Sequence, residues 1–257
     1  MEVIHTIPYS LIATAIFIFG LVIGSFANVC VYRLPKNESV VFPASRCISC
    51  SATVRPFDNI PIISYLILGG KCRNCKKNIP VIYPAIELIT GLLLLAGFFK
   101  FELTFDFLIY TIVAPALVII TALDIEHQII PDVITLPGIA LGLLAGSYSI
   151  GYVDSILGCF LGGGLFYLLA VLSNGGMGGG DIKYIAAVGA LVGWEKVLLI
   201  IFIGAFLGSI VSIFQMALQK KSRKSLIPFG PFLSVATLIT LFYGNLLIKL
   251  YVESLGR

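Results

Sequence analysis

Long apolar runs recur along most of this chain, and they constrain its fold more than any other feature. A helix needs about 20 apolar residues to cross the hydrocarbon core of a bilayer. Hydrophobic residues make up 58% of the sequence and charged residues only 12%, whereas soluble domains carry roughly 25% charged residues. The pattern predicts an all-α, polytopic membrane protein.

Eight runs are interpreted as membrane spans, with their ends placed to within about 2–4 residues. The sixth run, 182–194, is short for a span. The expected spans are 10–32, 81–99, 105–123, 133–150, 153–173, 182–194, 197–218 and 229–251. A polar segment separates the first two spans, so we expect three parts: a first helix (1–33), an inserted polar domain (34–80) and a seven-helix core (81–257).

The distribution of Lys and Arg predicts the orientation in the membrane. If the N-terminus is outside, most of the 17 Lys and Arg residues fall on the inner side, chiefly in 34–80 and in a cluster at 220–224. The positive-inside rule therefore favours an outside N-terminus and a cytoplasmic polar domain. The net charge of +4 is too small to indicate nucleic-acid binding.

The polar domain contains two Cys-x-x-Cys pairs, Cys47 with Cys50 and Cys72 with Cys75. Two such pairs separated by about 20 residues are typical of a zinc site. Two disulfides are the alternative, which the reducing cytoplasm disfavours. Four thiolates close the tetrahedral coordination sphere, so we expect a structural Zn²⁺ rather than a catalytic one.

A glycine-rich stretch, 175–183, interrupts the apolar sequence and places Asp181 where the chain re-enters it. Glycine costs a helix up to about 1 kcal/mol relative to alanine, so the stretch is a poor helix former. An ionisable group beside a membrane helix indicates a functional site. The side chains missing at Gly178, Gly179 and Gly180 would let an extended substrate backbone approach closely.

Counting crossings places Asp124, at the end of the third span, on the same membrane face as Asp181. Two carboxylates in a partly dry site share a proton, which is the arrangement of an aspartic protease. Alternatives stay open from the residues alone. Asp181 could cap a helix, Asp124 could be a solvated loop residue, and a proton- or ion-coupled transporter could use the same pair.

Four weaker signals complete the set. Glu87 lies inside the second span and is either functional or paired with a cation at the interface. Asp132 follows a proline and is expected to cap the fourth span. The pair Gly24-Ser25 and the run 162–164 indicate close packing of helices.

Taken together, these motifs resemble the bacterial type IV prepilin leader peptidases, which are polytopic aspartic proteases of the Gly-x-Gly-Asp kind. The resemblance covers nearly the whole chain and keeps the order of the motifs. The matching stretches are 24–29, 32–35, the four cysteines with 58–61 between them, 83–87, 122–124, 130–132, 178–181 with Lys183, and 228–232.

The resemblance implies that Asp124 and Asp181 are the catalytic pair. The substrate would be a prepilin or a type II secretion pseudopilin, with a leader and a membrane helix, cleaved after a glycine at the cytoplasmic face of the inner membrane. Many family members also methylate the new N-terminus with S-adenosylmethionine, an activity associated with the large cytoplasmic loop. A cleavage-only peptidase is the alternative within the family.

Overall fold

A computed structural model of the chain describes residues 8–173, 176–219 and 228–255. Gly175 and the basic cluster at 220–224 lie outside the described residues. The described residues form helices, turns and two isolated β-bridges, with no strand among them. The helices are α1 (Tyr9–Arg33), α2 (Ile63–Ile67), α3 (Ile82–Phe101), α4 (Phe105–His127), α5 (Asp132–Ser149), α6 (Tyr152–Leu172), α7 (Gly179–Val192), α8 (Trp194–Gln219) and α9 (Gly230–Leu255).

Seven of the described helices, all except α2 and α7, are long and apolar enough to cross a membrane. The all-α, polytopic prediction is therefore confirmed. The structure departs from the expected eight spans at α7, which has 14 residues and is about 21 Å long. The hydrocarbon core is about 30 Å thick, so α7 alone is too short to cross it.

The chain packs as two compact units, Met1–Ile119 and Ile120–Arg257. Their boundary falls within α4. The three parts expected from the sequence, 1–33, 34–80 and 81–257, were divided by polarity, whereas the two units are divided by packing. The three-part division therefore stays a prediction.

In the first unit, α1 and α3 pack closely because small residues face each other. A Cβ atom on Gly20 would lie 2.8 Å from the Cα atom of Gly91, and one on Gly24 would lie 2.6 Å from that of Glu87. Gly20 and Gly24 are four residues apart and share one face of α1, as in small-residue membrane interfaces. The packing role predicted for Gly24 is confirmed, and it brings the backbone of Glu87 against α1.

In the second unit, the short helix α7 is enclosed by the helices around it. Helices α5, α6, α8 and α9 all pack against it. The Ser155 hydroxyl on α6 donates a 2.7 Å hydrogen bond to the Ala190 carbonyl of α7. On α6, Gly162 and Gly163 face Ile185 and Ala186 of α7, whereas a Cβ atom on Gly164 would meet no described residue within 4 Å. Protein neighbours rather than lipid therefore surround much of α7, which lets so short a helix be stable here.

Candidate active site and cysteine module

Asp124 lies in the last turn of α4 and is buried, with 6% of its surface exposed. Its Oδ2 atom accepts a 2.7 Å hydrogen bond from the backbone N–H of Gly230, the first residue of α9. The N-terminus of a helix carries partial positive charge, so α9 stabilises a negative charge at this position. Gly230 belongs to the matching stretch 228–232, but it was not among the expected site residues. The available signal was a Gly-Pro pair opening an apolar run, which is typical of a helix start.

Asp181 is the third residue of α7, whose N-cap residue is Gly178. The Asp181 carboxylate accepts a hydrogen bond from the backbone of Gly178, as the third residue does in a capping box. Its Oδ1 atom is buried and has no hydrogen-bond partner in the described part of the chain. The charges of Asp181 and Asp124 interact electrostatically. The last turn of α4 and the first turn of α7 therefore present two carboxylates to each other.

The three glycines before Asp181 have different surroundings. A Cβ atom on Gly180 would lie 2.8 Å from the Cβ atom of Ile130 and 3.0 Å from its carbonyl oxygen. Within the described part of the chain, a Cβ atom on Gly179 would meet no atom within 4 Å, and one on Gly178 would lie 3.2 Å from Oδ2 of Asp181. Gly180 thus permits a close contact between α7 and the loop before α5, while Gly179 presents an open face. Ile130 belongs to the matching stretch 130–132, but no contact with the glycine run was expected of it.

Lys183 and Asp132 form an ion pair at the same end of the second unit. The Lys183 ammonium lies 2.7 Å from both carboxylate oxygens of Asp132. Asp132 was expected to cap its helix, and this is wrong: Pro131 occupies the N-cap position and makes no side-chain cap. Asp132 is instead the first residue of α5, and its ion pair with Lys183 ties that helix to the second turn of α7.

The four cysteine side chains of the first unit converge, as the sequence predicted. The Sγ atoms of Cys47, Cys50, Cys72 and Cys75 all lie within 4.8 Å of one another, and those of Cys47 and Cys75 are 3.9 Å apart. Four Zn–S bonds of about 2.3 Å in a tetrahedron separate the sulfurs by about 3.8 Å, so the cluster fits a zinc ion. Hydrogen bonds from the backbone N–H groups of Cys75 and Asn74 lower the pKa of Cys72 to about 7, which favours the metal-binding thiolate.

The two cysteine turns repeat the same backbone geometry. The N–H of Cys47 donates to the carbonyl of Ala52, and that of Cys72 donates to the carbonyl of Lys77, both at 2.9 Å. Each turn is closed by an isolated bridge, Arg46 with Thr53 and Lys71 with Asn78. The module is therefore built from two equivalent metal-binding turns, a repeat that is not visible from the cysteine spacing alone.

A bidentate ion pair joins the second turn to the loop between the turns. The Arg73 guanidinium donates to both carboxylate oxygens of Asp58, at 2.7–3.1 Å. This contact holds the pKa of Asp58 below its usual range. It also fixes the stretch 58–61, which the sequence analysis recognised as a motif without assigning it a contact.

A cavity of about 750 Å³ lies in the first unit, among the cysteine module, the end of α1 and the start of α3. Small-molecule sites occupy about 300–1,000 Å³. Its lining includes Asn28 from α1, Tyr65 from α2 and Glu87 from α3. The Asn28 amide on α1 donates a 3.0 Å hydrogen bond to the carbonyl of Tyr83 on α3. This bond holds together the two helices that form one wall of the cavity. The cavity has the size and mixed polarity of a cofactor or substrate site.

Two family models match the chain in succession. Residues 18–101 match the bacterial Peptidase A24 N-terminal domain, and residues 111–213 match the type IV leader peptidase family. A relative named prepilin leader peptidase/N-methyltransferase, from Pseudomonas aeruginosa, is 33% identical over 269 residues, covering 93% of each chain. This chain belongs to the type IV leader peptidase family. The resemblance stated from its motifs is thereby confirmed.

Other relatives of the family carry the same name. The one from Legionella pneumophila is 32% identical, covering 91% of this chain and 92% of the relative. The one from Bacillus subtilis is 30% identical, covering 93% of this chain and 97% of the relative. No solved structure matches this chain. The first family model spans the cysteine module and the second spans both Asp124 and Asp181.

Proposed function

We propose that this chain is a bifunctional enzyme that cleaves prepilin leaders and methylates the new N-terminus. Its substrates are type IV prepilins or type II secretion pseudopilins, cut after a glycine. The observation that carries the proposal is the convergence of Asp124 and Asp181 at the facing ends of α4 and α7. The shared name of the relatives, which match over more than nine tenths of their length, supports both activities.

In the proposed cleavage reaction, Asp124 is the ionised member of the pair and Asp181 the protonated one. Both carboxylates accept a backbone hydrogen bond at the start of a helix, Asp124 from Gly230 and Asp181 from Gly178, so the buried Oδ1 atom of Asp181 decides the assignment. A proton on Asp181 gives its carboxyl group a donor of its own, where Oδ1 otherwise lies buried without a partner. Asp124 takes a proton from water as the water oxygen bonds to the scissile carbonyl carbon, and Asp181 donates to the carbonyl oxygen. Asp124 then gives the proton it took from water to the leaving nitrogen as the C–N bond breaks, and a hydroxyl group of the tetrahedral intermediate returns a proton to Asp181 as the new carboxyl group forms.

The glycine run forms the binding surface for the leader peptide in this proposal. Gly178, Gly179 and Gly180 precede the catalytic Asp181, and an extended peptide can approach a backbone that carries no side chains. The open face of Gly179 supports this role most directly. The crowding at Gly180 supports a second role, which is to hold the two catalytic ends together.

The cysteine module holds a structural zinc ion in this proposal. The four thiolates complete its coordination, so no position stays open for a substrate or a catalytic water. Binding a metal also couples to folding in small, loop-rich segments. Zinc therefore fixes the module against α1 and α3 and shapes the cavity beside it.

The cavity of the first unit is the proposed site for S-adenosylmethionine. Its volume and polar lining fit a small cofactor, and we expect Asn59, Tyr65 and Asn78, which line it, to hold the group. When bound, S-adenosylmethionine supplies a methyl carbon attached to a positively charged sulfur. The chain's own residues contribute the shape of the site and the placement of the amine that accepts the methyl group.

The chain is a multi-pass membrane protein, and we place it in the bacterial inner membrane with its N-terminus outside. The excess of Lys and Arg in 34–80 supports a cytoplasmic cysteine module. The carboxylate pair then faces the cytoplasm by the crossing count up to the third span, which does not depend on whether α7 crosses. This orientation suits a substrate whose leader lies on the cytoplasmic side of its own membrane helix.

Co-expression with a candidate prepilin tests the proposal. Asp124→Asn and Asp181→Asn keep the size of each side chain and remove its proton chemistry, so we expect cleavage to fall by at least about 100-fold. Glu195→Gln, at an exposed position in the first turn of α8, is the matched control and should cleave normally. Cleavage at the wild-type rate in either Asn variant would contradict the assignment. The intact mass of the mature substrate, with or without a methyl group, separates the bifunctional enzyme from a cleavage-only peptidase.

A further inference from the structure

Glu87 is a buried carboxylate that the cleavage site does not use. It lies in the second turn of α3 with 9% of its surface exposed, and it lines the cavity of the first unit. The sequence left two readings open, a functional acid or one paired with a cation. Within the described residues, no Lys or Arg forms an ion pair with it. A buried carboxylate without a cation is costly unless something else compensates its charge.

The surroundings of Glu87 hold its side chain in one place. Its Oε2 atom accepts a 2.8 Å hydrogen bond from the backbone N–H of Ile62, and the Ser25 side chain also forms a hydrogen bond with it. Ile62 has φ +61° and ψ −51°, a strained conformation for a β-branched residue. Because Gly24 lets α1 approach within contact of the Glu87 backbone, the Ser25 side chain reaches the carboxylate. A carboxylate has about four acceptor positions, so two donors leave room for another.

Five cations line the cavity, and among the described residues none of them forms an ion pair with Glu87: Arg33, Arg46, Arg55, Arg73 and Lys77. The Arg33 guanidinium donates to backbone carbonyls within 39–44, and Arg73 is paired with Asp58. Neither neutralises Glu87. The Glu87 carboxylate is therefore a fixed hydrogen-bond acceptor, and a ligand that carries a positively charged donor group would compensate its charge.

We propose that Glu87 binds the newly exposed N-terminal ammonium of the cleaved substrate and accepts one of its protons. This inference rests on the proposed methyltransferase function. The nitrogen goes from –NH₃⁺ to –NH₂ as the carboxylate becomes a carboxylic acid, so charge and protons balance. An ammonium nitrogen has no lone pair with which to bond to a methyl carbon, whereas the neutral amine has one. Glu87 is then a catalytic residue of methyl transfer that plays no part in cleavage.

The position of Glu87 favours the substrate amine over the methyl donor as its ligand. It is the sixth residue of a membrane helix, about 8 Å along the axis from the first residue. The substrate's new N-terminus is attached to a membrane helix and so lies at the membrane surface. The methyl donor is a soluble molecule that enters from water. The group that reaches a carboxylate at the membrane-facing wall of the cavity is therefore the amine.

The variant Glu87→Gln tests the inference, because its amide oxygen can still accept from the Ile62 N–H while the charge is gone. The purified full-length chain is given a prepilin substrate and S-adenosylmethionine, and mass spectrometry follows cleaved and methylated products. We expect cleavage within about twofold of wild type and methylation at pH 7 slower by at least about 100-fold. Binding of radiolabelled S-adenosylmethionine in equilibrium dialysis should be unchanged. Glu102→Gln, at an exposed acid that directly follows α3 and lies outside the lining of the cavity, is the control and should methylate normally.

The pH dependence of methylation separates a catalytic role of Glu87 from a purely structural one, because a structural defect would not change with the protonation of the substrate amine. An α-amino group has an ordinary pKa of about 7.7–8.0, so at pH 9 the substrate is neutral without help. The defect of Glu87→Gln should then shrink to about tenfold or less.

Three outcomes would overturn the inference: wild-type methylation in Glu87→Gln, loss of donor binding, or loss of cleavage together with methylation. A defect that stays the same size at pH 9 would also do so. A wild-type chain that cleaves but never methylates would instead refute the methyltransferase proposal, and this inference with it. The wild-type experiment therefore tests the methyltransferase proposal, and the Glu87→Gln experiment tests the role of Glu87.

Discussion

Replacing Gly180 with alanine adds one methyl group where the structure leaves no room for it. The added Cβ atom would lie 2.8 Å from the Cβ atom of Ile130 and 3.0 Å from its carbonyl oxygen. Ordinary carbon–carbon contacts are about 3.5–4.0 Å, so the two segments must separate by roughly 0.7–1.2 Å. Both obstructing atoms belong to the backbone or to the first side-chain carbon, so a change of rotamer cannot relieve the contact.

This separation acts directly on the carboxylate pair. Gly180 is bonded to Asp181, and Ile130 lies in the loop that follows α4, the helix that carries Asp124. Overpacking of this kind lowers the free energy of unfolding by about 1–3 kcal/mol. The higher helix propensity of alanine offsets up to about 1 kcal/mol of this loss. The effect on activity should be larger, because a displacement of about 1 Å at a reacting centre can cost about 100-fold.

The assay is the kcat/KM for leader cleavage by purified enzyme in detergent, with circular dichroism as the check on helical content. We expect Gly180→Ala to lower kcat/KM by about 10- to 100-fold while the helical content stays unchanged. Gly179→Ala is the matched control, since its added methyl group meets no atom of the described residues within 4 Å. Its stability should equal or slightly exceed that of wild type, and any loss of activity should appear in KM for the substrate.

Two results would refute this reasoning. If Gly180→Ala cleaves as well as wild type, the contact between Gly180 and Ile130 does not set the relative position of the two carboxylates. If Gly179→Ala loses as much kcat as Gly180→Ala, crowding against the protein is not what distinguishes the two positions. In that case all three glycines would act through the substrate alone.

Three further changes test other parts of the account. Gly230→Ala would place a methyl carbon 2.8 Å from Oδ2 of Asp124, so we expect cleavage to slow by at least about tenfold; a wild-type rate would show that this contact does not position the carboxylate. Cys72→Ser removes the thiol whose pKa is lowered to about 7 and should release the zinc and lower the thermal midpoint, and an unchanged zinc content by mass spectrometry would contradict the metal site. Lys183→Met breaks an exposed ion pair with Asp132, so the thermal midpoint should shift only slightly; complete loss of cleavage would instead give Lys183 a direct role.

The sequence predicted the membrane helices and the cysteine cluster because both follow from short-range patterns. Apolar length identifies a span, and cysteine spacing identifies a turn that can bind a metal. The short helix α7 did not fit this scheme. Its stability depends on neighbours such as Gly162, Gly163 and Ser155 on α6, and contacts between helices are not visible in the hydropathy of one segment.

The site itself was only partly predictable for the same reason. Asp124 and Asp181 stand out as acids at the ends of apolar runs, but the Gly230 amide that binds Asp124 comes from a helix more than a hundred residues away. The role of Gly180 depends on Ile130, an ordinary apolar residue in the sequence. The capping role expected for Asp132 failed because Pro131 occupies the N-cap position, and the Asp132 carboxylate pairs with Lys183 instead.

The central claim is that Asp124 and Asp181 act as one catalytic unit. Single-turnover leader cleavage by Asp124→Asn, Asp181→Asn and the double variant tests it most directly. Residues that act together are strongly non-additive, so we expect the double variant to be no slower than the slower single variant. A double variant whose loss equals the product of the two single losses would show that the carboxylates act independently, and it would contradict the account.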